Sequence, residues 1–276
     1  METRYELVAN VSLLFGELPL FERFTAAADA GFGAVELWWP FDGPRPGDAE
    51  VAALLAAVEA AGVRLAGMNL WGGDQPAGER GTASQPDRRA DFDAAVEVMA
   101  GIAERTGLRI TNALYGQRRP EFSAAEQDEA AVDALAAAAR RLGPLGVTVV
   151  VEPLSRGLNG DYPILTAADA VAVARRASAR ADGEPVRLLF DTFHLANNGE
   201  DLVAVVRQYA DEVGHVQLAD TPGRGEPGSG GIDFAAVLDA LAEAGYAGEV
   251  AAEYAPTAAT ADTLGWTRAL PHVRLG

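Results

Sequence analysis

The chain has 276 residues, 49% hydrophobic and 22% charged, the balance of a globular protein long enough to bury a large core. It contains no cysteine, which excludes disulfides, thiolate zinc sites and cysteine nucleophiles and fits a reducing, cytoplasmic setting. Forty acidic residues against 22 basic ones give a formal charge of −18, which repels nucleic acid and anionic membranes and would also repel an anionic substrate unless local arginines or a cation receive it.

No apolar run approaches the ~20 residues of a membrane-spanning helix. The first apolar stretch, 7–15, carries Asn10 and Ser12 and has neither a basic flank nor a cleavage site, so it reads as a strand and not as a signal peptide. From there, short runs rich in Val, Ile and Leu recur at 5–11, 34–38, 63–69, 109–114, 146–152, 186–191, 213–218 and 249–253. Runs of this kind suit strands buried on both faces, as in a parallel sheet.

Helical patterns fill the intervals. Val51, Leu54, Leu55 and Val58 repeat at i, i+3, i+4 and i+7 before Gly62 stops the helix. Phe92, Val96, Met99 and Ala103 form another such face. Ser123 with Glu126, and Thr166 with Asp169, have capping-box spacing at two further helix starts. Leu202, Val205, Val206 and Tyr209 repeat the apolar spacing, as do Phe234, Val237, Leu238 and Leu241 ahead of Gly245. Strict alternation of strand and helix predicts α/β architecture, and eight repeats in this length favour a (β/α)8 TIM barrel forming a single domain over 1–276. No GxGxxG follows the first strand, which argues against a dinucleotide-binding sheet. Two long connections stand out, 70–86 and the glycine-rich 221–231.

Barrel enzymes carry their chemistry at the C-terminal ends of the strands. Four consecutive predicted strands end in, or carry, an oxygen-bearing side chain: Glu152, Asp191, Gln217 and Glu253. Their spacing is about one βα unit each, so the four side chains are expected at one mouth. Three carboxylates converging in a half-buried site repel one another unless a cation sits between them, and oxygen-only ligation suits a hard divalent ion, Mg²⁺ or Mn²⁺. His194, three residues after Asp191, reads as a hydrogen-bond donor to substrate or as a helix-start histidine satisfied by backbone. His215 shares a face with Gln217 and reads as a core or supporting residue. Glu36 ends the second strand, where it either lines the mouth or makes a structural hydrogen bond. Trp38, Trp39 and Trp71 are candidate pocket walls, Arg80 and Arg224 candidate carboxylate partners, and Asn69 a candidate substrate contact at the end of the third strand.

At these motifs the chain resembles the hydroxypyruvate isomerase family, a branch of the xylose isomerase-like TIM barrels. The marks run in order from about residue 8 to 254: ANVSLLFGE, AGFGAVELWWPFD, PAGERG, VVVEP, FDTFH, GHVQLAD followed by PGRGEPGSGGIDF, and AAEY. The resemblance implies a metal set at Glu152, Asp191, Gln217 and Glu253, with Glu152 and Glu253 as the acid/base pair. It also implies a hydroxy-keto acid substrate such as hydroxypyruvate, isomerised to 2-hydroxy-3-oxopropanoate through an enediolate. The chain departs from the family pattern after the third strand, where Trp71 stands for a proline and Gln75 for a tryptophan. These changes are expected at the pocket rim, where they bear on substrate identity. Alternatives within the same architecture are a 2-oxo-tetronate or other sugar-acid isomerase or epimerase, a lyase of the inosose-dehydratase type, and a barrel that binds a sugar acid without turning it over. An abasic-DNA endonuclease needs a histidine-rich zinc site and a basic groove, and three histidines at −18 charge argue against it. A homo-oligomer is the expectation from symmetry base rates.

Overall fold

A computed structural model describes residues 5–276. In chain order its strands are β1 (Tyr5–Asn10), β2 (Ala34–Leu37), β3 (Arg64–Asn69), β4 (Ile110–Asn112), β5 (Thr148–Val151), β6 (Val186–Asp191), β7 (Val213–Leu218), β8 (Val250–Ala252) and β9 (Val273–Arg274). Between them run α1 (Leu20–Asp29), α2 (Asp48–Ala61), α3 (Arg89–Thr106), α4 (Ala124–Leu142), α5 (Ala167–Arg180), α6 (Thr192–Asn197), α7 (Leu202–Tyr209), α8 (Phe234–Glu243) and two short turns of helix, α9 (Thr260–Thr263) and α10 (Trp266–Ala269).

Strands β2 to β8 pair in order, all parallel, and β1 closes the ring by pairing with both β8 and β2. The result is the eight-stranded closed barrel that the alternation predicts. The short β9, absent from the sequence reading, adds to the start of β1 through Tyr5–Val273 and Glu6–Arg274. Two residues carry no periodicity, and only the pairing defines this strand.

The helix signals act where they were read. Leu54, Leu55 and Val58 of α2 are buried, and Gly62 ends the helix at φ +69°, a conformation that costs glycine little. The Ser123 hydroxyl accepts the Glu126 N–H at the start of α4, while Glu126 accepts the Ser123 N–H. Thr166 and Asp169 do the same for α5. Each such cap is worth ~1 kcal/mol.

The core has two parts. Most buried side chains lie between the barrel and its helices. Inside the barrel a separate small-residue cluster, Val8, Ala34, Ala66 and Ala251, fills the base. Because side chains alternate along a strand, Asn10, Glu36 and Glu253 follow Val8, Ala34 and Ala251 on the same face, one step nearer the C-terminal mouth. The barrel interior thus changes from apolar at the base to polar at the mouth. Among the described residues no helix is long and apolar enough to cross a membrane.

Candidate active site

The C-terminal mouth holds a cavity of about 160 Å³ lined by Trp38, Asn69, Gln75, Arg80, Leu114, Glu152, Leu154, Asn159, His194, Arg224 and Glu253. Of the eight residues expected to hold metal or substrate, six, Asn69, Arg80, Glu152, His194, Arg224 and Glu253, therefore meet at one place. The other two, Asp191 and Gln217, are neighbours in the β6–β7 ladder and are buried just beneath. Glu152 and Glu253 each follow the last residue of a strand, so a rigid element aims both into the mouth.

Glu152 Oε2 accepts a 2.6 Å hydrogen bond from Asn112 Nδ2, and its Oε1 lies 3.6 Å from His194 Nε2. Glu253 Oε1 accepts from Trp38 Nε1 at 2.6 Å, and Oε2 pairs with Arg224 Nη2 at 3.1 Å. Asp191 is fully buried: its Oδ1 caps α6 by accepting the His194 N–H at 3.0 Å, and its Oδ2 lies 3.5 Å from Arg224 Nη2. Gln217 Nε2 donates to Glu36 Oε1 at 2.8 Å, while Gln217 Oε1 is buried without a hydrogen-bond partner.

Burial, together with the charges of Glu253 and Asp191, pushes the Glu152 carboxyl well above its ordinary pKa. Burial likewise raises Glu253 to about 7; Arg224 opposes this, and Asp191 and Glu36 add to it. Two protonatable carboxyls thus face one cavity, one of them poised near neutral pH.

His194 is positioned by residues that the sequence reading missed. Its Nδ1 lies 3.0 Å from the Ser155 backbone N–H, which can only donate, so Nδ1 is the acceptor and Nε2 carries the hydrogen of the neutral ring. Burial lowers the pKa of His194 to about 4, against the pull of Asp191, so the ring is neutral at pH 7. Ligand atoms of Glu152, Asp191 and His194 lie within 4.8 Å of one another, a grouping that could hold a metal ion. In that tautomer the Nε2 hydrogen faces the site, so the carboxylate oxygens of Glu152 and Asp191 are the members of this grouping open to an ion.

The glycine-rich connection 221–231 is organised by Asp220, also missed. Its Oδ1 accepts the N–H groups of Thr221 (2.8 Å) and Ile232 (3.0 Å); its Oδ2 accepts those of Gly228 (2.9 Å) and Gly230 (2.8 Å). This frame holds Arg224 at φ +59°, a strained conformation for a residue with a side chain, and turns the guanidinium over the Phe193 ring toward Asp191 and Glu253. Arg80 donates from Nη1 to the carbonyls of Gln75 and Glu79 and, among the described residues, pairs with no carboxylate.

Of the two readings of Glu36 the structural hydrogen bond holds: it is absent from the cavity lining and is buried, bonded to His215, Gln217 and Asn10. Two expectations are corrected. Of the three tryptophans, only Trp38 lines the cavity; Trp39 and Trp71 face an adjoining one. Of the two departures from the family pattern, Gln75 lines the cavity, whereas Trp71 turns away under the Arg88 guanidinium, 4.8 Å from the ring centre.

Residues 24–270 match the xylose isomerase-like TIM barrel family. The chain is 45% identical over 249 residues to a "Putative hydroxypyruvate isomerase" of Streptomyces coelicolor, covering 90% of this chain and 89% of that protein. It is 30% identical to the hydroxypyruvate isomerase of Escherichia coli (94% and 96% covered) and 29% identical to a 2-oxo-tetronate isomerase of Pectobacterium atrosepticum (95% and 96% covered). Among solved structures it is similar to a Brucella melitensis protein described as an AP endonuclease of family 2, with a TM-score of 0.87 at 29% identity over 96% of this chain and 98% of that one. The closed barrel, the site at its C-terminal mouth and these relatives together make the chain a member of the xylose isomerase-like TIM barrel family and, within it, of the hydroxypyruvate isomerase group.

Proposed function

We propose that this chain interconverts hydroxypyruvate and 2-hydroxy-3-oxopropanoate by proton transfer, with a divalent ion, Mg²⁺ or Mn²⁺, held by Glu152, Asp191, Gln217 and Glu253. One observation carries the reading. Two buried carboxyls with raised pKa, Glu152 and Glu253, face a single cavity whose rim presents Arg80, a cation that no described carboxylate neutralises. The first feature suits a proton shuttle and the second suits an acidic substrate.

The residues fit the ion. Three carboxylates and a carboxamide are hard oxygen donors, and Gln217 Oε1 is buried without a hydrogen-bond partner. When bound, the ion would supply positive charge beside the substrate oxygens on which negative charge develops.

The chain's own residues then divide the work. One of Glu152 and Glu253 removes the proton from the hydroxyl-bearing carbon of hydroxypyruvate, and the other returns a proton to the neighbouring carbon of the enediolate. Trp38 and Asn112 hold these two carboxyls by one oxygen each; the second oxygen of Glu152 is left for the site, and that of Glu253 faces Arg224. His194, a neutral donor through Nε2, bonds a substrate oxygen. Arg80, Asn69 and Arg224 hold the carboxylate end.

A longer acid of the 2-oxo-tetronate kind is the second reading, favoured by one feature. A further cavity of about 460 Å³, lined by Leu158, Phe193, Asn197 and Gly223, shares Asn159, His194 and Arg224 with the first and leaves room for an extra carbon. The net charge of −18 speaks against DNA as substrate, and with the absence of cysteine it is consistent with a cytoplasmic enzyme; we carry a homo-oligomer forward on symmetry grounds.

The test is to incubate metal-stripped protein with hydroxypyruvate, then with 2-oxo-tetronate, with and without Mg²⁺ or Mn²⁺, coupling product to a reductase. Metal-restored turnover supports the reading, and the ratio of kcat/KM selects the acid. Turnover of neither acid with either ion overturns it.

A further inference from the structure

Below the proposed ligands the barrel interior holds a polar cluster that neither the proton transfer nor substrate binding uses. Glu36 Oε2 bonds His215 Nε2 at 2.6 Å, and Glu36 Oε1 accepts from both Asn10 Nδ2 (2.9 Å) and Gln217 Nε2 (2.8 Å). All four residues are almost fully buried. Strands β2 and β7 are not neighbours in the ring, so these bonds cross the barrel interior. A buried carboxylate–histidine pair costs desolvation that apolar side chains would not, and the layer beneath is apolar. Holding the barrel together is therefore not reason enough for it.

The geometry points to Gln217. A carboxamide presents an acceptor at one end and donors at the other, and its NH2 facing a cation would be repelled. A carboxylate offers no hydrogen, so Glu36 can bind only the NH2 end. With Nε2 fixed there, Gln217 Oε1 is left buried and unpartnered, as a ligand oxygen held ready would be. We propose that Glu36, braced by His215 and Asn10, is the positioning residue that orients the Gln217 carboxamide so that Oε1 serves the metal. The inference rests on the metal reading above and assigns Glu36 no contact with the ion or substrate. Partners that orient a ligand typically change metal affinity ~10–100-fold when removed.

The test reads Mn²⁺ affinity by calorimetry on four metal-stripped proteins: wild type, Glu36→Met, Gln217→Glu and the double variant. Glu36→Met keeps the length of the side chain and removes its acceptor, and Mn²⁺ is expected to bind ~10–100-fold more weakly. Gln217→Glu supplies an oxygen whichever way it turns and sets two carboxylates in contact. In that background the new carboxylate needs no orienting, so the same Glu36→Met change is expected to cost at least ~threefold less in Mn²⁺ affinity than it does in wild type. This loss of sensitivity is what orientation predicts; a Glu36 that acts only through its charge or through the fold would weaken binding equally in both backgrounds. If Glu36→Met does not fold, Glu36→Gln in the two backgrounds reads the same difference without an apolar substitution. Equal affinity of wild type and Glu36→Met, or an equal loss in both backgrounds, overturns the inference. Failure of the wild type to bind Mn²⁺ overturns instead the metal reading beneath it.

Discussion

Replacing Asp220 with asparagine tests how Arg224 is held over the site. The carboxylate accepts four backbone N–H groups, two on each oxygen, from residues on both sides of the 221–231 connection. In Asp220→Asn one oxygen becomes NH2, so two of the four bonds are lost and two N–H groups meet a donor. Hydrogen bonds to a charged group are worth ~1.5–3 kcal/mol each, which makes the closed connection about 3–6 kcal/mol less favourable. At ~1.4 kcal/mol per factor of ten, the open population rises by roughly 10²–10⁴. The connection can open without unfolding the barrel, so the thermal midpoint should move far less than this figure implies. Trypsin provides the assay, because cleavage after Arg224 requires the connection to open, and mass spectrometry separates that cut from others. Asp220→Asn is expected to be cut there at least a hundredfold faster and to lose affinity for the acid substrate. Cleavage within threefold of wild type, with unchanged KM, would refute the role given to Asp220.

Three further outcomes follow from the same geometry. In metal-free protein the folded state holds a proton on Glu253 up to about pH 7, whereas its ordinary value is 4.5. The folded state therefore binds more protons across that window, and the contribution, complete below about pH 4.5, is lost as pH rises through about 7. The midpoint of metal-free Glu253→Gln should thus gain on that of wild type between pH 4.5 and 7.5; a difference that is flat, or of opposite slope, would contradict the burial argument. Arg80→Ala should raise KM for hydroxypyruvate tenfold or more and leave a neutral hydroxyaldehyde unaffected, as steady-state kinetics on both would show. Gly81→Ala should imitate it at a cost of a few kcal/mol in denaturant unfolding, because φ is +107° and a Cβ there would lie 2.4 Å from the Leu114 carbonyl oxygen.

The fold was legible because helix and strand periods alternate along the chain and capping pairs such as Ser123–Glu126 mark helix starts. The candidate site was legible where a polar residue ends an apolar run, as at Glu152, Asp191 and Glu253. What escaped was what holds those residues. Asn112 grips Glu152 from 40 residues away and Trp38 grips Glu253 from 215 away, distances over which spacing carries no information. Asn112 did leave a trace, since Thr111 and Asn112 interrupt the apolar run of β4. So did Asp220, an acid placed just before a glycine-rich connection whose N–H groups need an acceptor. Glu36 ends a strand, which left two readings open, a mouth residue or a structural hydrogen bond. Only the bonds across the barrel to His215 and Gln217 place it below.

Proton transfer by Glu152 and Glu253 between adjacent carbons of a small hydroxy-keto acid can be read by running Mn²⁺-loaded wild type, Glu152→Gln and Glu253→Gln on hydroxypyruvate in D2O and counting deuterium in the product by NMR. Wild type is expected to place deuterium on the reprotonated carbon, and both folded variants to turn over ~10²–10⁴-fold more slowly. Product from wild type without solvent deuterium, or near-normal turnover in either variant, would contradict it.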